Sequence, residues 1–152
     1  MLFGVFANCW LRIGRRDCAI TFGVRLVKLL LAIAFGGALG ALGRYFVSIQ
    51  ISSWLGSNVP WGTLIVNVVG SFILGALYEA GTLVWQPSAE LKAFLTIGVL
   101  GAFTTFSAFS LDVLLLMGRG AWVTAGGYAF GSLFLSVLGL IAGIILVRGL
   151  VA

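Results

Sequence analysis

There is no histidine anywhere in these 152 residues, and there are only four acidic side chains, two cysteines and two prolines. Each scarcity excludes something. Without histidine the commonest general base and metal ligand is missing, and Cys9 and Cys18 have no CxxC spacing that would hold a metal or a redox disulfide. No nucleophile stands beside an evident base, so an enzyme is the least favoured class. Charge is scarce too: 9% of the residues are charged, against roughly 25% in a soluble domain. With 61% hydrophobic residues the chain reads as an all-α integral membrane protein. Its 22 glycines suit helices that pack closely in lipid, where small residues let backbones approach.

The net charge of +5 is unevenly placed. Arg12, Arg15, Arg16, Arg25 and Lys28 cluster before the first apolar run, a pattern explained by positive-inside bias and anionic lipid rather than by nucleic acid. The segment from Met1 to Val24 places a short apolar run before its basic residues, the reverse of a secretory signal. It reads either as a cytoplasmic or interfacial lead, or as a start placed too early, with Val24 or a nearby codon as the initiator. Residues 25–152 then hold the membrane domain.

About 20 apolar residues cross the hydrocarbon core as a helix, and four segments qualify: Lys28 to Trp54, Trp61 to Trp85, Leu91 to Met117 and Trp122 to Val147. Trp54, Trp61, Trp85 and Trp122 fall at the predicted ends, at headgroup level. Pro60, Pro87 and the Gly118–Gly120 stretch mark three short connections. An even number of spans puts both termini on one side, with Lys28, Lys92 and Arg148; Arg44 and Arg119 count toward the other. That near balance makes insertion in both orientations plausible, whereas counting the basic extension fixes the termini inside.

Ten residues carry the chemistry. Gly-Ala-Phe-Thr-Thr-Phe-Ser-Ala-Phe-Ser, from Gly101 to Ser110, loads the third span with four hydroxyls and three rings. An uncompensated hydroxyl in hydrocarbon costs roughly 2–7 kcal/mol, so the cluster needs protein, water or ion partners. Thr63, Asn67 and Ser71 recur every four residues on the second span, and Thr124, Tyr128, Ser132 and Ser136 do so on the fourth, so each set shares one helix face. The two stripes read as a polar track; single serines of this kind more often back-bond to their own helix. Phe103, Phe106 and Phe109 at i, i+3 spacing read either as core packing or as ring edges, which are electropositive, facing an anion. Gly98, Gly101, Thr104 and Thr105 weaken the helix, leaving a continuous packing face and a mid-membrane break both open. Arg44, past the middle of its span, either snorkels to the interface or lines an aqueous vestibule. Glu79 and Asp112 lie toward span ends, where reaching solvent is the default. Glycine pairs 36/40, 127/131 and 139/143 supply small-xxx-small packing surfaces, and for so small a bundle a homodimer is the economical assembly.

Three stretches together resemble the Fluc (CrcB) family of small fluoride channels: Gly-Gly-Ala-Leu-Gly-Ala-Leu-Gly-Arg-Tyr from Gly36, Trp-Gly-Thr-Leu-Ile-Val-Asn-Val-Val-Gly-Ser-Phe from Trp61, and the phenylalanine-rich segment from Gly101. The resemblance runs from about Leu29 to Val147. It implies an antiparallel, dual-topology homodimer of four-helix subunits with a break in the third helix, seated in a bacterial inner membrane and passing fluoride passively through two pores. It also implies that Phe106 and Phe109 line the pore with Asn67, Tyr128 and Ser132, that Thr63, Thr105 and Ser107 belong to the polar track, and that Arg44 is the vestibule arginine. A structural Na+ at the dimer centre would be held by the backbone carbonyls of Gly101 and Thr104. Ala108 stands where many relatives have a hydroxyl, and the basic extension weighs against equal insertion in both orientations. The alternative is a small dual-topology multidrug/proton antiporter, which needs a mid-membrane carboxylate; the first span has none.

Overall fold

The computed structural model describes residues 15–151, with side chains from Phe22 onward. The first fourteen residues, with Cys9 and Arg12, lie outside the described part, and Cys18, Arg15 and Arg16 are described by their backbone alone. Every element is helical: α1 (Arg15–Leu55), α2 (Trp61–Leu83), α3 (residues 89–103), α4 (Phe106–Gly118) and α5 (Trp122–Val151).

Four of the resulting helical stretches are long and apolar enough to cross a membrane: Phe22–Leu55, Trp61–Leu83, Ala89–Gly118 and Trp122–Val151. This is a multi-pass membrane protein. The spans fall where hydropathy puts them, except at the amino end. There α1 continues back to Arg15, because no proline interrupts the basic segment, and its 41 residues rise about 60 Å against a hydrocarbon core of about 30 Å.

The connections use specific backbone chemistry. Gly56 follows α1 with φ +79° and donates its N–H to the Ser52 carbonyl. Gly120, at φ +73°, donates to Met117 while Ala121 donates to Leu116, closing the α4–α5 turn. Both are left-handed positions that glycine adopts without a Cβ penalty. Pro60 immediately precedes α2, and Ser88 caps α3 by accepting from the Leu91 N–H at 3.2 Å.

Glycines also decide which helices pair. A Cβ at Gly36 would meet the Phe94 carbonyl, one at Gly40 the Val99 carbonyl, and one at Gly98 the backbone of Gly36. Thus α1 lies backbone to backbone on α3, whose Phe94–Leu100 stretch is wound as a π-helix. On the other side Gly75 meets the Leu140 carbonyl, while Gly139 and Gly143 meet the carbonyls of Val68 and Phe72, pairing α2 with α5. Gly127 and Gly131, at the same four-residue spacing, have nothing near them within the subunit.

The buried core is small. Leu116, Ala125 and Tyr128 form a cluster bordered by Val59, Leu64, Phe109 and Val113, and Val66 is fully enclosed. Most of the large apolar side chains point outward, which suits a body solvated by lipid. Since the atoms that a Cβ would strike at positions 40 and 143 are backbone carbonyls, Gly40→Ala and Gly143→Ala are expected to destabilise the protein by roughly 1–3 kcal/mol through overpacking. Gly37→Ala, which meets open space, serves as the control. Thermal melting in detergent should rank both packed positions below it.

Candidate functional site

Between Phe103 and Phe106 the chain leaves helical geometry for two residues. Thr104 (φ −79°, ψ 156°) and Thr105 (φ −154°, ψ 117°) are extended. In an uninterrupted helix the Thr105 N–H would donate to the Gly101 carbonyl and the Ala108 N–H to the Thr104 carbonyl. Both donors are diverted. The Thr105 N–H donates to Asn67 Oδ1 at 2.7 Å, and the Ala108 N–H donates to Thr105 Oγ1 at 3.2 Å, which makes Thr105 the N-cap of α4.

Asn67 completes the exchange by donating from Nδ2 to the Thr105 carbonyl at 3.1 Å. One side-chain amide therefore pairs with a whole peptide unit's donor and acceptor, as a neighbouring strand would. Buried backbone polar groups require such partners, and at mid-membrane water is not there to provide them.

The other hydroxyls of the segment divide. Thr104 donates to the Leu100 carbonyl at 2.9 Å and Ser110 to the Phe106 carbonyl at 2.9 Å, so both back-bond to their own helix. Ser107 instead lies 3.2 Å from Thr105, hydroxyl to hydroxyl.

Alongside this interruption is an open cleft of about 280 Å³. Polar groups reach it from three spans: Asn67 and Ser71 of α2, Thr96, Thr104 and Thr105 of the third span, and Ser132 and Ser136 of α5. Gly101, Phe106 and Phe109 line it as well. Ser132 stands out: its hydroxyl is enclosed, and the Tyr128 hydroxyl lies within interaction range of it. In an apolar setting such a hydroxyl is costly to leave without a partner, and Tyr128 is the neighbour placed to supply one.

The rings continue the site toward α5. Phe106 and Phe109 are 5.4 Å apart between centroids, and Phe109 and Tyr128 are 5.6 Å apart, both tilted. Phe103, across the interruption, turns instead toward Gly43 and Gly70. Phe106 keeps 76% of its surface exposed in the subunit. The Tyr128 hydroxyl donates to Asp112 Oδ2 at 3.2 Å, and the Thr63 hydroxyl lies within interaction range of it.

Of the residues singled out from sequence, Asn67, Gly101, Thr104, Thr105, Phe106, Phe109 and Ser132 therefore converge on one cleft. Tyr128, Thr63 and Ser107 adjoin it through their neighbours. Arg44, half-buried on α1, is not among the lining residues.

Two acidic residues depart from the solvent-reaching default. Asp112 is half-buried and engaged by Tyr128; its position one turn after Phe109 on the same helix face was the available signal. Glu79 is 4% exposed and ion-paired to Arg148, because the close α2–α5 packing covers it.

The cap at Thr105 is testable alone. Thr105→Val removes the acceptor for Ala108 and is expected to destabilise by about 0.5–2 kcal/mol, whereas Thr105→Ser retains the hydroxyl and most of the stability. Melting temperatures of both variants in detergent check this ordering.

Comparison with known proteins follows the same stretch of chain. The family model described as CrcB-like protein, Camphor Resistance (CrcB), matches residues 31–144. Among curated relatives, a fluoride-specific ion channel FluC of Rhodospirillum centenum is 54% identical over 126 residues, which are 83% of this chain and 100% of the relative. The protein of the same name from Nitrobacter winogradskyi is 46% identical over 119 residues, 78% of this chain and 94% of the relative. One from Agrobacterium fabrum is 46% identical over 118 residues, 78% of this chain and 94% of the relative. With the family model spanning all four membrane helices and relatives matched along nearly their whole length, the chain belongs to the CrcB family.

Proposed function

We propose that this protein is a fluoride-selective passive channel that lets the anion leave the cytoplasm, and that it works as an antiparallel homodimer with two pores. The observation that carries the reading is the 54% identity to a relative named as a fluoride-specific ion channel, over that relative's full length. The cleft supplies the chemistry. A small anion leaving water needs its lost hydrogen bonds replaced, and the low local dielectric strengthens each substitute.

Ser132 contributes a hydroxyl beside Tyr128 at the wall of the cleft. Asn67 commits one Nδ2 hydrogen to the Thr105 carbonyl, which leaves its second available. The tilted Phe106 and Phe109 rings line the same cleft, and the edges of such rings are electropositive. Tyr128, Thr63, Thr105 and Ser107 extend the polar lining, and Arg44 raises the anion concentration at the mouth.

A second copy suits the open geometry. The cleft is one-sided within the subunit, Phe106 is largely bare, and a larger groove of about 950 Å³ shares Leu74 and Thr96 with it and runs on to Trp85 and Lys92. An antiparallel partner laid along that line closes both.

The fit to a central Na+ is equally local. The carbonyls of Gly101 and Thr104 lose their helical donors to Asn67 and to Thr105 Oγ1. Backbone oxygens freed at a helix interruption are hard ligands suited to such an ion, and two copies double their number. The ion's contribution is to neutralise those carbonyl dipoles at the subunit junction.

The antiporter alternative requires a carboxylate free to exchange protons at mid-membrane. Glu79 is held by Arg148 and Asp112 by Tyr128, so the candidates among the described residues are engaged.

Purified protein in liposomes should release fluoride, read by an ion-selective electrode, and release far less chloride. Absence of fluoride flux, or equal chloride flux, overturns the channel reading. Phe106→Ile and Phe109→Ile are each expected to cut flux at least about tenfold while the assembly elutes as wild type. Replacing Na+ with a large organic cation throughout purification should weaken the dimer on size exclusion; an unchanged elution profile removes the structural cation.

A further inference from the structure

Seven polar side chains line the cleft, and the bonds they already make divide them. Thr96 donates to the Lys92 carbonyl at 2.8 Å and Thr104 to the Leu100 carbonyl at 2.9 Å, each one turn back on its own helix. Thr105 is engaged by Ser107 and by the Ala108 N–H that it caps, and the enclosed Ser132 hydroxyl has Tyr128 within interaction range. Asn67 gives its carbonyl and one amide hydrogen to the Thr105 peptide. Ser71 and Ser136 remain. Both are half-buried, neither hydroxyl is enclosed, and neither makes a hydrogen bond within the subunit.

A serine inside a helix ordinarily returns its hydroxyl to a carbonyl of the preceding turn, as Ser110 does here. Ser71 does not, so its proton is left for a group outside the helix.

Packing fixes the height at which these hydroxyls stand. A Cβ at Gly139 would fall between the Val68 carbonyl and the Phe72 nitrogen, and one at Gly143 between the Phe72 carbonyl and the Ala76 nitrogen. The α2 and α5 helices therefore run parallel, and Ser136, three residues before Gly139, comes to the height of Asn67. Ser71 is one turn further along, about 5.4 Å. The rings lie the other way, because α4 leaves Thr105 for the α4–α5 turn and carries Phe106 and Phe109 with it. On the Ser71 side the lining continues with Leu74 and Leu100, which offer an ion nothing in exchange for water. No acidic side chain is among the lining residues.

We propose that Ser71 is a further anion-binding residue: its hydroxyl, together with Ser136 and the second amide hydrogen of Asn67, receives the ion on the side of Asn67 opposite the phenylalanine rings. The inference rests on the channel reading above, and the two fail differently. If the channel reading is wrong, wild-type protein gives no fluoride flux; if the role of Ser71 is wrong, the wild type conducts and so does the variant without the hydroxyl.

Wild-type, Ser71→Ala, Ser71→Thr and Ser110→Ala proteins are compared for fluoride efflux from liposomes, with assembly read by size exclusion. Hydrogen bonds to a charged partner are the stronger kind, so Ser71→Ala is expected to lower flux on the order of tenfold while eluting as wild type. Ser71→Thr keeps the hydroxyl and should stay within about threefold of wild type. Ser110→Ala removes a hydroxyl already bonded to its own helix and should leave flux unchanged. Wild-type flux in Ser71→Ala overturns the inference. So does an equal loss in Ser71→Thr, which marks a packing role, or in Ser110→Ala, which shows that bonded and unbonded hydroxyls count alike. Should Ser71→Ala fail to assemble, Ser71→Cys keeps the volume with a weak donor. Wild-type flux in that variant overturns the inference, and a loss of about tenfold in assembled protein supports it.

Discussion

The exchange between the Asn67 side chain and the Thr105 peptide is the interaction on which the rest of the site depends. Extended backbone inside a bilayer exposes a donor and an acceptor with no water to meet them, at several kcal/mol for each. Asn67 meets both. Once Thr105 is held this way its hydroxyl is placed to cap α4, and the α4 rings are aimed into the cleft. The Gly101 and Thr104 carbonyls are released by the same diversion of donors. One asparagine thus links the helix interruption, the lining of the cleft and the two released carbonyls, and its replacement would disturb all three together.

The interaction also sorts the hydroxyls that made this segment costly in sequence. Thr104 and Ser110 are consumed by their own helices, while Thr105 and Ser107 face one another across the start of α4. The cleft's hydroxyls beyond the third span are on α5 and, at Ser71, on α2. Polarity in this protein is therefore distributed by who is already bonded, and the density of hydroxyls along the chain is a poor guide to which of them remain available.

Much of this was legible from periodicity. Hydropathy and the tryptophans placed the spans, since length against bilayer thickness is a hard constraint, and the four-residue stripes located Asn67 and Ser132 on converging faces. Other features were not legible for physical reasons. Glycine pairs 127/131 and 139/143 have identical spacing, yet only the second meets a helix, because spacing describes a surface and not its neighbour. Glu79 read as solvent-reaching from its place near a helix end; its partner is 69 residues away in sequence, and only tertiary packing brings them together. The helix continuing back to Arg15 was hidden by a change of composition that alters solvation without altering backbone preference.

The thinness of the core has a consequence for how such a protein exists in a cell. With Val66 as the one large side chain fully enclosed among the described residues, a lone subunit holds little of its stability within itself, and most of its apolar contact is made with whatever lies outside it. Its stability then depends on what solvates that surface, and for the dimer proposed above it would obey mass action. In that proposal, when subunits are sparse the paired form varies with the square of their number, so a modest rise in expression yields a disproportionate rise in assembled pairs.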